Sequence, residues 1–127
     1  MSITLYNTMT SKKEEFKPIT EGKVGIYVCG VTVYDYTHIG HGRSSVAFDV
    51  IRRYFEYAGY EVTFVKNFTD VDDKIINRAN ESNQLWSALS LRFIEEHDKD
   101  MESLFILPPT HTPMATKYID KMIEYCQ

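Results

Sequence analysis

Cysteine is scarce in this chain, and other features that would assign it to a class of proteins are absent from the sequence. The two cysteines, Cys29 and Cys126, are too few and too far apart for a disulfide framework or a local Cys-x-x-Cys zinc knuckle. No apolar run of about 18 residues indicates a membrane span. The N-terminus also lacks the basic start and long apolar stretch of a signal peptide. We therefore expect a cytoplasmic protein that does not enter a membrane.

An excess of positive charge is missing as well. The 127 residues include 14 Lys and Arg against 18 Asp and Glu, which gives a net charge of −4. Because nucleic-acid platforms are usually basic, this segment is a poor candidate for a principal nucleic-acid-gripping surface. The 43% hydrophobic and 25% charged residues are ordinary for a globular chain, and the length fits one domain or part of one.

Common ligand motifs are also absent. The sequence has no G-x-x-x-x-G-K-[ST] loop and no H-E-x-x-H helix. Gly40 and Gly42 lack the third glycine of G-x-G-x-x-G, since position 45 is serine. The acidic stretch at residues 70–74 fails as a calcium loop because it places lysine at a ligand position.

What the sequence does contain is a strand, a glycine-bearing loop, a helix and a second strand in succession. Residues 24–29 are apolar and β-rich, which predicts a buried central strand. Residues 61–68 predict the second strand. From about residue 41 to 58 the pattern is helical, and Gly59 follows where such a helix should end. The order predicts a right-handed βαβ unit within an α/β fold. The apolar stripe of the predicted helix is Ala47, Val50, Ile51, Tyr54 and Ala58.

Weaker patterns flank this unit. Residues 3–6 predict an initial strand, and residues 11–18 a connection or an edge hairpin. Thr69 or Asp70 is expected to cap a helix that runs to about residue 80, with Asp72 and Asp73 in its first turn, where the helix dipole favours acids.

A longer helix is expected from a cap at Ser82 or Asn83 to about residue 105, where two prolines follow. Thr112 with Pro113 predicts the start of a final helix, still running at residue 125 without a stop signal. Such an end is typical of a truncated chain. The apolar stripe predicted for the longer helix is Trp86, Leu89, Phe93, His97, Met101 and Leu104.

Two signals converge after the first central strand. Cys29 lies at its carboxyl end, and His38, Gly40 and His41 lie where the next helix begins. Ligands of open α/β sheets bind beyond the carboxyl ends of the strands, and a helix N-terminus offers N–H groups to phosphate. Two imidazoles can donate hydrogen bonds to phosphate oxygens as charge builds on them.

Structural explanations exist for each of these residues. On spacing alone, Cys29 is better explained as a buried cysteine at a strand end, whereas the histidine pair is equally consistent with ordinary loop histidines. Thr69 is equally well explained as a helix cap. We interpret His97, on the apolar stripe of a helix, as a structural residue.

Three blocks in order resemble cysteinyl-tRNA synthetases, a class I aminoacyl-tRNA synthetase family: CGVTVYD at residues 29–35, HIGHGR at 38–43 and NFTDVDDK at 67–74. The resemblance runs from about residue 3 to the end. It implies the first half of a Rossmann-type catalytic domain, a parallel sheet with flanking helices. Residues 1–106 would be the N-terminal half of that nucleotide-binding domain, and residues 107–127 the start of a helical insertion.

The resemblance also implies the chemistry. The family activates L-cysteine with ATP, bound with Mg²⁺, and transfers the adenylated cysteine to the 3′ end of cysteine tRNA. The family pattern assigns catalysis to His38 and His41 and the ATP site to His38, Gly40 and His41. The amino-acid pocket is assigned to Gly30, Thr32 and Thr69. Cys29 matches the first of four ligands to an active-site Zn²⁺ ion, to which the thiol of the substrate would also bind.

Several parts of the family pattern do not occur within residues 1–127. These are the other zinc ligands, the Lys-Met-Ser-Lys-Ser loop and the anticodon-binding part, so we expect the chain alone to be inactive and to hold zinc weakly. We also expect exposed apolar surface where the other half would pack. Two alternatives stay open: the related cysteine ligase of mycothiol biosynthesis, and a non-catalytic nucleotide-binding half-domain.

Overall fold

A computed structural model describes residues 2–127. The elements follow in the order β1 (Thr4–Asn7), β2 (Lys12–Glu15), β3 (Lys23–Thr32), α1 (Ile39–Tyr57), β4 (Glu61–Thr69), α2 (Asp73–Glu81), α3 (Trp86–Ser103), a 3₁₀ turn (Ala115–Lys117) and α4 (Ile119–Cys126).

Strand β3, helix α1 and strand β4 form the predicted βαβ unit. The two strands are parallel and in register from Lys23–Glu61 to Thr32–Thr69. Strands β1 and β2 form an antiparallel hairpin, which confirms the expected initial strand, but the hairpin is a separate two-stranded sheet and not an edge of the β3–β4 sheet. The prediction that residues 24–29 are buried is only partly right. Val24 and Val28 are buried, whereas Gly25, Tyr27 and Cys29 are exposed, because one face of β3 carries no covering layer in the described chain.

A β-bulge interrupts β3 close to its carboxyl end. Val28 pairs with Lys66 and Val31 with Phe68, so that Cys29 and Gly30 together oppose Asn67. The extra residue shifts the alternation by one position. Accordingly Val24 and Val28 are buried before the bulge, and Val33, directly after the end of β3, is buried beyond it.

Helix α1 lies where it was predicted, but the predicted buried stripe is wrong. Ala47, Val50 and Tyr54 are exposed, and Ile51 and Ala58 are only half-buried. The inward face instead carries Gly42, Ser45, Asp49 and Phe55. Small and polar residues are required there because this face contacts a buried lysine on β4 and the backbone after α3.

The predicted caps of the two following helices are wrong. Asp72 caps α2 by accepting a hydrogen bond from the backbone N–H of Lys74 at 2.9 Å. Thr69 ends β4, and the carboxylate of buried Asp70 accepts hydrogen bonds from the backbone N–H and hydroxyl of Thr116 at 3.0 and 2.5 Å. The acids are therefore used for tertiary contact as well as for capping.

Helix α3 begins after Leu85 with no side-chain cap. Its stripe is confirmed at Leu89, Phe93, His97 and Met101, which are buried. Trp86 and Leu104, at the two ends of the predicted stripe, are 39% and 47% exposed, so the stripe is not buried at its ends.

The helix predicted from Thr112 and Pro113 does not begin there. Residues 110–114 instead lie along the second edge of β4, where the N–H of Phe68 donates to the carbonyl of Pro113 at 2.9 Å and the N–H of Lys66 to that of His111 at 3.1 Å. Backbone groups of β4 that do not pair with β3 form hydrogen bonds with this segment, which runs parallel to β4. Helix α4 follows later and buries none of its residues.

Two apolar clusters hold the elements together. One joins the carboxyl ends of the strands to α2 and α3: Val33, Phe68, Ile75, Ala79, Leu89 and Phe93. The other joins the amino end of β3 to the hairpin and to the end of α1: Ile3, Val24 and Phe55. The start of α1 lies outside both clusters, so polar contacts hold it.

Candidate functional site

A stacked pair of histidines opens helix α1. The imidazole rings of His38 and His41 have centroids 3.9 Å apart and planes inclined by 22°. His38 is the N-cap residue, and its Nδ1 accepts a hydrogen bond from the N–H of Gly40 at 3.0 Å. In return, Nδ1 of His41 accepts one from the backbone N–H of His38 at 3.4 Å. The two side chains thus form a reciprocal capping box.

These bonds define the tautomer of each neutral ring. A nitrogen that accepts a hydrogen bond carries no proton, so the proton of each neutral imidazole is on Nε2. The assignment is inferred from the hydrogen-bond network. Since Nδ1 is used within the cap, each Nε2–H group is left as the donor available to a ligand.

The first turn of α1 does not offer its N–H groups as freely as expected. The N–H of Gly40 donates to the His38 ring, and those of His41 and Gly42 donate to the His38 carbonyl at 2.9 and 3.3 Å. Ligand recognition at this helix start therefore depends on the imidazoles more than on the backbone. Gly40 is required for this geometry, because a Cβ there would lie 2.8 Å from Cε1 of His38.

The surroundings of His41 favour its neutral form. Burial lowers its pKa below the ordinary value of 6.5, and the neighbouring His38 and Lys66 lower it further. A neutral His41 keeps both the Nδ1 lone pair that completes the cap and the Nε2–H donor.

A cavity of about 580 Å³ lies between α1, α3 and the carboxyl end of β3. Of the residues predicted for the site, the structure places Cys29, Gly30 and His41 in its wall. The Cys29 thiol is exposed, which corrects the alternative of a buried cysteine. His38 and Gly40 lie at the adjoining helix start, outside the cavity wall.

Gly30 has a structural reason to be glycine. Its N–H donates to Oδ1 of Asn67 at 2.8 Å. A Cβ on Gly30 would lie 1.4 Å from the Asn67 carbonyl oxygen, far inside any contact distance. The bulge thus brings two backbones together where only glycine fits.

Thr32 and Thr69 are brought side by side. They are register partners at the carboxyl ends of β3 and β4, and both are half-buried. Neither threonine lines the cavity. The N–H of Val33, the residue after Thr32, donates to the carbonyl of Thr69 at 3.3 Å. The structure thus divides the predicted site residues between the cavity and the strand ends.

The sequence did not identify Lys66, a buried lysine in the cavity, as a site residue, and His97 was interpreted as structural only. Lys66, on β4, is 9% exposed, and its Nζ donates to Oγ of Ser45 at 2.9 Å and lies 3.5 Å from Nε2 of His97. His97 in turn contacts Asp98 through Nδ1 at 3.3 Å. A charged residue at an inward strand position between Phe64 and Phe68 was the signal available in the sequence.

Burial dominates the electrostatics of this group. It lowers the pKa of Lys66, an effect that Asp98 partly opposes. Burial also lowers the pKa of His97. Lys66 lowers that pKa further, whereas Asp98 raises it and so opposes the shift. Among the described residues, no buried side-chain nitrogen or oxygen is left without a hydrogen-bond partner.

Neither a metal cluster nor a membrane span is found in the described part of the chain. Within residues 2–127, no three or more His, Cys, Asp or Glu side chains group closely enough to hold a metal ion. Over the same residues, no helix is long and apolar enough to cross a bilayer.

Residues 15–127 match the family of class I (C) tRNA synthetase catalytic domains. The chain is 56% identical over 124 residues to the cysteine–tRNA ligase of Geobacter metallireducens, covering 98% of this chain and 26% of that protein. It is 54% identical over 124 residues to cysteine–tRNA ligase 2, cytoplasmic, of Arabidopsis thaliana, covering 98% and 24%. The chain thus spans about a quarter of the length of these curated relatives.

The fold is similar to that of a solved class I enzyme. Mycobacterium tuberculosis methionyl-tRNA synthetase, in complex with methionyl-adenylate, superposes with a TM-score of 0.58 at 25% sequence identity. The match covers 65% of this chain and 16% of that one. The predicted Rossmann-type α/β class is confirmed by this likeness together with the parallel β3–β4 pair.

Proposed function

We propose a function from the premise that this chain belongs to the family of class I (C) tRNA synthetase catalytic domains: it is the N-terminal part of the catalytic domain of a cysteine–tRNA ligase. The protein that carries it activates L-cysteine with ATP and Mg²⁺ and transfers the cysteinyl group to cysteine tRNA. Residues 1–106 belong to the nucleotide-binding half of the domain and residues 107–127 begin the insertion. The location is cytoplasmic, as the name of the Arabidopsis thaliana relative states for that protein.

The histidine pair carries this proposal. Each ring uses Nδ1 in the cap and keeps Nε2–H as a donor at the start of α1. As cysteine attacks the α-phosphate of ATP, negative charge builds on the phosphate oxygens, and positioned donors stabilise it. His38 and His41 supply these donors without needing to be protonated, and Gly40 allows the His38 ring to fold back against the helix start.

Cys29 is the residue of this chain suited to an active-site Zn²⁺ ion. Its thiol is exposed at the carboxyl end of β3 beside the cavity, so it can serve as one ligand, with the remaining ligands outside residues 1–127. When bound, zinc would hold the substrate as a thiolate and so favour cysteine over serine. Gly30, Thr32 and Thr69, at the carboxyl ends of β3 and β4, line the amino-acid pocket.

The test is amino-acid-dependent exchange between ATP and labelled pyrophosphate, measured on the full-length gene product. We expect exchange with L-cysteine and none with L-serine. His41→Asn should lower kcat for exchange about 100-fold, the usual effect of removing one transition-state donor. His111→Asn is the matched control, because its side chain is exposed on the β4 edge outside the cavity.

Other outcomes favour the alternatives. Exchange with cysteine but no charging of tRNA would indicate an amino-sugar acceptor, as in mycothiol biosynthesis. Binding of ATP without exchange would indicate a non-catalytic nucleotide-binding module. Equal loss of kcat in the His41 and His111 variants would remove the support for the histidine pair.

A further inference from the structure

Lys66 is a charged residue in a place where an apolar side chain would pack well. It faces inward between Phe64 and Phe68, both buried, and its ammonium group contacts a hydroxyl and an imidazole. In the described chain no carboxylate oxygen lies within ion-pair distance of Nζ. Burial of an ammonium without a paired carboxylate costs stability, so the fold alone does not account for this lysine.

Three elements meet at the ammonium group. Ser45 lies one turn after His41 on α1, so the two side chains lie on the same face of the helix. His97 approaches from α3, and its ring is held edge-on to Phe68 at a centroid distance of 5.3 Å. Lys66 thus connects β4 to both helices, to α1 through Ser45 and to α3 through His97.

We propose that Lys66 is a positioning residue for His41: its ammonium group, bound to α1 through Ser45 and next to His97 of α3, fixes the histidine pair relative to the cavity. The assignment of His41 to ATP rests on the proposed function, whereas the positioning itself does not. It is a property of the ligand-free chain.

The electrostatics agree with this geometry. The groups that act on His41 are His38 on the same helix and Lys66 on β4, and the charge of His41 is in turn felt by His97 on α3. Asp98 is the acid that acts on Lys66 and His97, and its side chain is 64% exposed. A cation below His41 disfavours a second positive charge on the ring, so it preserves the Nδ1 acceptor that completes the cap.

The test is histidine NMR on residues 1–127 without ligand, in wild type, Lys66→Met, Lys66→Arg and Lys99→Met. In Lys66→Met we expect the His41 titration midpoint to rise toward the ordinary value and the Nε2–H tautomer to lose population. Lys66→Arg restores the charge and should return the midpoint close to wild type. Lys99→Met is the matched control, because Lys99 is an exposed lysine on α3 paired with Glu96.

A Lys66→Met chain that folds but keeps the His41 midpoint and tautomer of wild type would overturn the proposal. So would an equal shift in Lys99→Met. If Lys66→Met does not fold, Ser45→Ala removes the link to α1 and leaves the charge. It should loosen the tautomer preference of His41, and an unchanged preference would equally overturn the proposal. Absence of ATP exchange in the wild-type full-length gene product, with the titration shifts intact, would count against the proposed function alone.

Discussion

The floor and the rim of the cavity are built differently. The floor consists of Gly30, Ser45, Lys66 and His97, and the rim of Cys29, His38 and His41. The N–H of Gly30 and the side-chain polar groups of Ser45, Lys66 and His97 make polar contacts within the described chain at 2.8–3.5 Å. The rim residues are exposed or half-buried. The cap uses the Nδ1 atoms of the two histidines, so neither their Nε2–H groups nor the exposed Cys29 thiol takes part in the capping contacts.

The difference separates residues whose polar atoms are bound within the chain from residues that leave their reactive atoms exposed. Gly30 is forced by a backbone approach, and Ser45 by a buried lysine. Cys29 could be replaced without loss of packing, since it lies exposed on a bulge. Under the proposed function the chemistry of this chain would reside on the rim, and under the positioning proposal the floor would hold the rim in place. Substitutions on each side of that division test it.

The largest expected effect is on the floor. Gly30→Ala should lower the free energy of unfolding by about 3 kcal/mol or more, because the added Cβ would overlap the Asn67 carbonyl and the bulge must open. Gly25→Ala is the control on the same strand, since no other group lies within 4 Å of the position that its added Cβ would take. Urea denaturation of both variants measures the difference. Similar midpoints in the two would show that the bulge yields easily and that Gly30 belongs to the rim.

The order of the elements around the rim was predictable from the sequence because it depends on local patterns. The β-rich runs, the glycine after α1 and the histidines at its start give the βαβ unit and place the loop at the carboxyl ends of the strands. Cys29, His38 and His41 were identified as candidate site residues in this way. Their motif is a local one, and its residues lie within 13 positions of each other.

The floor was not predictable, because it depends on which side chains meet in three dimensions. The inward face of α1 is polar, with Ser45 and Asp49, so apolar periodicity selected the wrong face. Lys66 and His97 lie 31 residues apart and have no common motif. The start of the final helix was predicted wrongly for a similar reason. Residues 110–114 pair with the edge of β4, and this pairing between distant parts of the chain cannot be predicted from a local sequence pattern.

A smaller effect is expected on the rim. His38→Ala removes the side-chain acceptor of the capping box and should lower the free energy of unfolding by about 1 kcal/mol, within the range for lost N-caps. His38→Asn keeps a good capping side chain and should recover most of that loss. Thermal unfolding of the two variants beside wild type measures it. A loss as large as that of Gly30→Ala would mean that the rim is structural, contrary to its separation from the floor.

The smallest expected effect is on the dependence of stability on pH, and it too distinguishes floor from rim. Burial lowers the pKa of His97 and His41 in the folded chain, so below about pH 6.5, the ordinary histidine value, the unfolded chain binds more protons than the folded one. Stability is therefore fully present above that pH, falls as the pH falls below it, and levels off below the folded pKa values. His97 is 5% exposed and His41 only half-buried, so the floor should contribute more of this slope, although Asp98 offsets part of it.

Replacing the floor histidine isolates its share of that slope. His97→Gln retains a polar side chain beside Lys66 but no longer titrates, and urea midpoints between about pH 7 and pH 5 should therefore fall less steeply than in wild type. The exposed His111→Gln should leave the slope unchanged. If the His97 variant kept the full wild-type slope, the burial of the floor would not be what keeps its histidine neutral.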